Sequence, residues 1–118
     1  MGRIVICEPD PEVRALLGHV VARLGREPSA GGDRADDVEA VVVEPADPLS
    51  LAHAIALVKA SPGLPVVCAS IEAPNGKTGS LNPSAYLVKP FALPELERAL
   101  RDALLRASSP DTRNISAA

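Results

Sequence analysis

Residues 40–45 read Ala40-Val41-Val42-Val43-Glu44-Pro45, four small apolar positions that run into a carboxylate and a proline. The run has no apolar–polar alternation, and three of its members are β-branched. Such a strand is buried on both faces, as parallel strands inside an α/β sheet are. Glu44 stands at its carboxyl end, the edge where open α/β sheets gather ligands and chemistry.

Working outward, Arg3-Ile4-Val5-Ile6-Cys7 is an earlier run of the same kind. Glu8-Pro9-Asp10-Pro11 ends it and starts a helix, with Asp10 as N-cap and Pro11 at the first helical position. Val13, Leu16, Leu17, Val20, Val21 and Leu24 follow at helical spacing, and Gly25 supplies the stop. Residues 27–30 fit a short edge strand because Pro28 lacks a ladder donor. The stretch from Gly31 to Asp37 is turn and charge, with room for one helical turn at best.

Beyond Glu44, Asp47-Pro48 repeats the cap-plus-proline signal, and Leu51, Ile55 and Val58 form an apolar stripe that ends at Ser61-Pro62. Residues 65–70 form a fourth strand and residues 85–88 a fifth. Between them Pro74, Asn75, Gly76, Gly79, Asn82 and Pro83 break any regular helix. Pro94 opens the last helix, which turns Leu96, Ala99, Leu100, Ala103 and Leu104 inward. Residues 1–107 are expected to be one domain and residues 108–118 a disordered tail or a linker cut short. Strands that alternate with helices give a doubly wound parallel α/β sheet.

Composition narrows the function. A chain of 118 residues makes one domain with a real core, and with 2% aromatics that core is aliphatic. A net charge of −3 without a basic run argues against direct nucleic-acid contact. No apolar segment approaches the roughly 20 residues that cross a bilayer. Arg3 leads straight into a strand, where a signal segment would be apolar for longer, so a soluble cytoplasmic protein without membrane contact is expected. Cys7 and Cys68 lie in apolar runs and no His or second Cys stands at ligand spacing, so both are read as buried, reduced thiols.

Four of the five strands finish in polar residues: Glu8 (with Asp10 nearby), Glu44, Ser70 and Lys89. A parallel sheet brings these ends to one edge. An acidic group flanked by a hydroxyl and a lysine suits a divalent cation and a phosphoryl group.

This constellation resembles the receiver domain of bacterial response regulators over residues 3–105. Tyr86-Leu87-Val88-Lys89-Pro90-Phe91 and Leu93-Pro94-Glu95-Leu96 carry the strongest likeness. The resemblance implies a flavodoxin-like five-stranded sheet in the order 2-1-3-4-5 and a role in two-component phosphorelay signalling. It makes Lys89 the phosphate-contacting lysine, Ser70 the switch hydroxyl and Tyr86 the switch aromatic. It makes Pro48 the structural proline four residues past the acceptor position, and it implies a cis Lys89–Pro90 bond.

The chain departs from the pattern where chemistry matters most. The phosphoacceptor position holds Glu44, and the acidic pair that would bind magnesium falls on Glu8 and Pro9. A weak, degenerate metal site on Glu8 and Asp10 is what remains, so no cofactor is expected. Pro45 removes the backbone N–H next to the acceptor position. The second helix of the fold is expected to be shortened and the fourth eroded.

A glutamate carries its carboxylate roughly 1.5 Å further than an aspartate, and in-line transfer tolerates less displacement than that. The expectation is an atypical, non-enzymatic receiver that acts through protein partners, a histidine kinase or an output protein. Glu44 either mimics a phosphoaspartate or simply pairs with Lys89. The alternatives are a conventional receiver phosphorylated by a kinase and a small-ligand-binding pseudo-receiver; a flavin site is disfavoured for want of stacking aromatics. Asn75-Gly76-Lys77-Thr78 is read as a solvated loop, not a phosphate loop, since its first glycine position is Ile71. His19 and His53 are read as surface histidines. Arg98, Arg101 and Arg106 are read as a solvated face that can also support a homodimer or partner contact.

Overall fold

The computed structural model describes residues 2–30 and 37–107. Five strands form one sheet: β1 (Arg3–Cys7), β2 (Glu27–Ser29), β3 (Val38–Val43), β4 (Val66–Ser70) and β5 (Ala85–Val88). Their order is β2-β1-β3-β4-β5, and every pairing is parallel. Three α-helices accompany them: α1 (Pro11–Arg23), α2 (Pro48–Ala60) and α3 (Leu93–Ala107). The flavodoxin-like layout and strand order expected from the sequence are therefore the observed ones.

Alternation along the strands distributes the apolar side chains to two faces. Ile4, Ile6, Ala40, Val42, Val67 and Ala69 meet Leu17, Val20 and Val21 of α1 and Leu96, Leu100 and Ala103 of α3. Val5, Cys7, Val41, Val43, Val66 and Cys68 meet Ala54 and Leu57 of α2, together with Leu64 and Leu81. Both faces are covered over Ile4–Cys7 of β1, residues 40–43 of β3 and the whole of β4, so polar residues stand toward the strand ends, Arg3 and Glu39 before these stretches and Ser70 at the finish of β4.

The helix signals act as expected. Asp10 caps α1 by accepting from the backbone N–H groups of Glu12 and Val13, and Asp47 caps α2 by accepting from Ser50 N. Gly25, with φ 77°, takes the left-handed turn that ends α1. The breaker-rich segment between β4 and β5 is a 3-10 helix, Gly76–Leu81, in place of a regular α-helix. The shortened helix expected between β2 and β3 and the tail at 108–118 lie outside the described residues. No helix of the described residues is long and apolar enough to cross a membrane.

Three expectations are corrected. The fourth strand begins at Val66, since Pro65 has no N–H to give a ladder. Leu16 does not join the core: it is 52% exposed, because Leu17, Val20 and Val21 already occupy the face of α1 that meets the sheet. The most buried positions of α2 are Ser50, Ala54 and Leu57, while Leu51, Ile55 and Val58 pack at the flank. That helix is apolar nearly all round, so its periodicity does not fix which stripe faces inward.

Leu100 is fully buried between α3 and the sheet. Leu100→Ala is expected to cost about 2–5 kcal/mol in urea unfolding, whereas Leu16→Ala is expected to leave the midpoint nearly unchanged.

Candidate functional site

The register of the strands builds the site. Cys7 pairs with Val43, and Glu44 N donates to Cys7 O at 2.9 Å, so Glu8 and Glu44 leave the sheet side by side. Ser70 pairs with Val88, and Lys89 N donates to Ser70 O at 2.7 Å, which brings Lys89 to the same edge. Glu8, Glu44 and Ser70 are buried.

Lys89 joins the two carboxylates. Its Nζ lies 2.7 Å from Glu8 Oε1 and 3.0 Å from Glu44 Oε1. Glu8 Oε2 accepts the Asp10 N–H at 3.1 Å. Glu44 Oε1 also accepts the Ile71 N–H, and Oε2 the Ala46 N–H, each at 3.1 Å. Pro45 has no N–H, so the donor on that side comes from the following residue, Ala46. One carboxylate thereby holds the loop after β3 and the loop after β4.

Charge follows geometry. Burial pushes the Glu44 carboxyl up, but the Ser70 hydroxyl, the Ala46 N–H, the Lys89 ammonium and the Ile71 N–H together hold it below its ordinary value. Burial pulls Lys89 down, and its bonds to Glu8 and Glu44 more than reverse that, so its ammonium is held above the ordinary value. Glu44 and Lys89 are each shifted toward the charged form, and their opposite charges make burial of the pair tolerable.

The other sequence-derived residues surround this pair. Ser70 Oγ accepts the Glu72 N–H at 3.0 Å, and Tyr86 Oη donates to Glu72 O at 2.8 Å, so the hydroxyl and the phenol grip the same residue. Pro48 stands at the start of α2, and the Lys89–Pro90 peptide is cis. Asp10 directs its carboxylate to the N-terminus of α1, not to Glu8. Thr78 turns inward, its hydroxyl donating to Asn75 O at 2.9 Å, so the Asn75–Thr78 loop closes on itself. Arg98, Arg101 and Arg106 are exposed, and Arg101 pairs with Glu97 one turn away.

His53 is a further correction to the sequence reading. It is half-buried, with Nδ1 3.5 Å from Cys7 Sγ. Forty-six positions separate the two, and no local spacing announces a contact made by packing α2 on β1. Both cysteines are free and buried. Cys7 and Cys68 flank Val43 on one face, two strand spacings or roughly 10 Å apart, beyond disulfide reach. His19 is exposed and borders a cavity of about 140 Å³ between α1 and α3, with Arg23, Leu93, Pro94 and Glu97.

A five-stranded parallel sheet with this order, two carboxylates and a lysine at its carboxyl edge and a cis proline after that lysine has clear structural relatives. A sensor protein from Polaromonas sp. JS666 superposes with TM-score 0.73 at 23% identity, covering 91% of this chain and 98% of that one. A CheY-like response regulator receiver domain protein from Methanospirillum hungatei JF-1 gives 0.73 at 15%, covering 91% and 96%. The Vibrio cholerae chemotaxis protein CheY4 gives 0.72 at 16%, covering 88% and 99%. The fold is that of a response-regulator receiver domain. No family profile and no curated protein matches the sequence, so the receiver likeness is carried by the fold.

Two measurements probe this receiver edge. Glu44 titrates lower when folded, so its contribution is present above the unfolded value of about 4.3 and is lost as pH falls through the folded value. Lys89 titrates higher when folded, so its contribution is present below about 10.4 and is lost as pH rises through the folded value. Urea midpoints are expected to be flat between about pH 5 and 9 and to fall on both sides, with a shallower acid limb in Glu44→Gln.

The thiols give the second measurement. Burial pushes Cys7 up to about 12, and burial with the nearby Glu44 charge pushes Cys68 up to about 11. Near pH 8, labelling by a disulfide reagent is expected to proceed only through unfolding, at one common rate for both cysteines that rises with urea. Fast labelling of either thiol in native buffer would contradict this burial.

Proposed function

We propose that this chain is a cytoplasmic receiver module of a two-component pathway that works by protein–protein contact, without phosphoryl transfer at Glu44. The observation that carries the reading is the state of the Glu44 carboxylate. Both its oxygens already accept hydrogen bonds, from Lys89 and Ile71 on one side and from Ala46 on the other. A nucleophile needs a lone pair aimed at the incoming phosphorus, and here three donors, one of them the Lys89 ammonium, compete for the lone pairs of the carboxylate.

The same contacts favour mimicry over an inert pair. Ser70 and Lys89, the groups that the receiver likeness assigns to a phosphoryl oxygen, are drawn to the glutamate. Through Ile71 N the carboxylate also fixes the start of the loop that Ser70 and Tyr86 hold at Glu72. The switch is held closed by a permanent charge, and partners recognise that state. The cavity beside His19 is lined by α1 and α3 and by none of Glu8, Glu44, Ser70 and Lys89, so it lends no support to a ligand pocket built on those residues.

The experiment is exposure to acetyl phosphate with magnesium, read by intact mass, and to beryllofluoride with magnesium, read by amide shifts. No phosphoryl adduct and no shift at Ser70, Ile71 or Tyr86 are expected. In Glu44→Gln, hydrogen exchange at Ile71 N is expected to accelerate roughly tenfold or more, as loss of a charge-assisted bond allows. Stoichiometric phosphorylation of the wild type would refute the reading.

A further inference from the structure

Receiver likeness implies a divalent cation at the edge where Glu8 and Glu44 stand, and the donors present decide whether this chain suits one. Magnesium demands near-octahedral oxygen ligands at about 2.0–2.1 Å. Pro9 contributes no side-chain oxygen, and the Asp10 carboxylate serves the N-terminus of α1. Among the described residues no group of three or more His, Cys, Asp or Glu side chains is placed to hold a metal ion.

Both oxygens of each buried carboxylate also accept hydrogen bonds from the chain. Glu8 accepts from Lys89 and from Asp10 N, and Glu44 from Lys89, Ile71 N and Ala46 N. The place between them is held by a cation that belongs to the chain. Lys89 Nζ reaches Glu8 at 2.7 Å and Glu44 at 3.0 Å, distances proper to charge-assisted hydrogen bonds. Two carboxylates and one ammonium leave a single negative charge in a site whose side chains are 4%, 5% and 17% exposed. A divalent ion added there would make the site net positive and would face Lys89 across a few ångströms with little water between them. The residues do not fit a divalent ion while Lys89 stays.

We propose that Lys89 is the resident cation of this site, holding Glu8 to Glu44 in place of magnesium. The expectation of an ion rests on the receiver reading; the substitution rests on the salt-bridge geometry. An ammonium tethered to β5 cannot be diluted or chelated, so the edge keeps one arrangement whatever the magnesium level. Removing the ammonium leaves two buried, uncompensated carboxylates, and that pair is a divalent-cation site in waiting.

The test uses magnesium alone, against sodium at equal ionic strength. It is read by the amide signals of Asp10, Ala46 and Ile71, by calorimetry and by thermal melting. The wild type is expected to give no saturable shift at those amides and the same Tm in magnesium and in EDTA. Lys89→Met is expected to gain magnesium binding roughly tenfold or more tighter than any wild-type response, with saturable shifts at those amides and a Tm that rises with magnesium. Lys89→Gln, which keeps a donor and loses only the charge, carries the same reading should Lys89→Met not fold. Saturable wild-type binding at those amides would overturn the proposal, as would variants that gain nothing. No phosphoryl analogue is present, so magnesium binding by the wild type would remove this inference and leave the receiver reading standing.

Discussion

The ammonium of Lys89, shared between Glu8 and Glu44, is the interaction on which the functional edge depends. Two carboxylates that are almost wholly out of water repel one another and each loses hydration. One lysine placed between them offsets both effects, and backbone N–H groups from three loops add further hydrogen bonds. The cluster belongs to β1, β3 and β5 at once, so it ties the carboxyl ends of the sheet together where the apolar core stops.

That edge exists because the sheet is parallel and covered on both faces. The two apolar layers described by Ile4, Val42 and Val67 on one side and Val5, Val43 and Cys68 on the other leave no inward polar position within the strands. Polar residues are forced to the strand ends, and the parallel register puts those ends together. The same order of strands that buries the core therefore assembles the site. The chemistry of this edge is a matter of which side chains stand at four strand ends.

Departure from the receiver pattern is concentrated at three residues, Pro9, Glu44 and Pro45. Pro9 removes an acid, Glu44 lengthens another, and Pro45 moves a backbone donor one residue on, to Ala46. Together they give a closed arrangement in which the charge balance is met from within the chain. The long reach of Glu44 is what allows one carboxylate to touch Lys89, Ile71 N and Ala46 N together.

By itself the sequence determined the parallel α/β sheet and the residues at its edge, while the strand order came from the resemblance those residues carry. Unalternating runs at Arg3–Cys7 and residues 40–43, the Asp10-Pro11 and Asp47-Pro48 caps and polar strand ends are local signals, and local signals survive without coordinates. The inward stripe of α2, the exposure of Leu16 and the meeting of His53 with Cys7 were decided only by packing. A helix apolar all round can turn several ways, and only the sheet beneath it selects one. The same holds for the site. Sequence could set Glu44 against Lys89, but not add Glu8 to the same ammonium or aim Ile71 N and Ala46 N at the carboxylate. Those contacts depend on how far three loops bend after their strands end, a quantity that no spacing in the chain encodes.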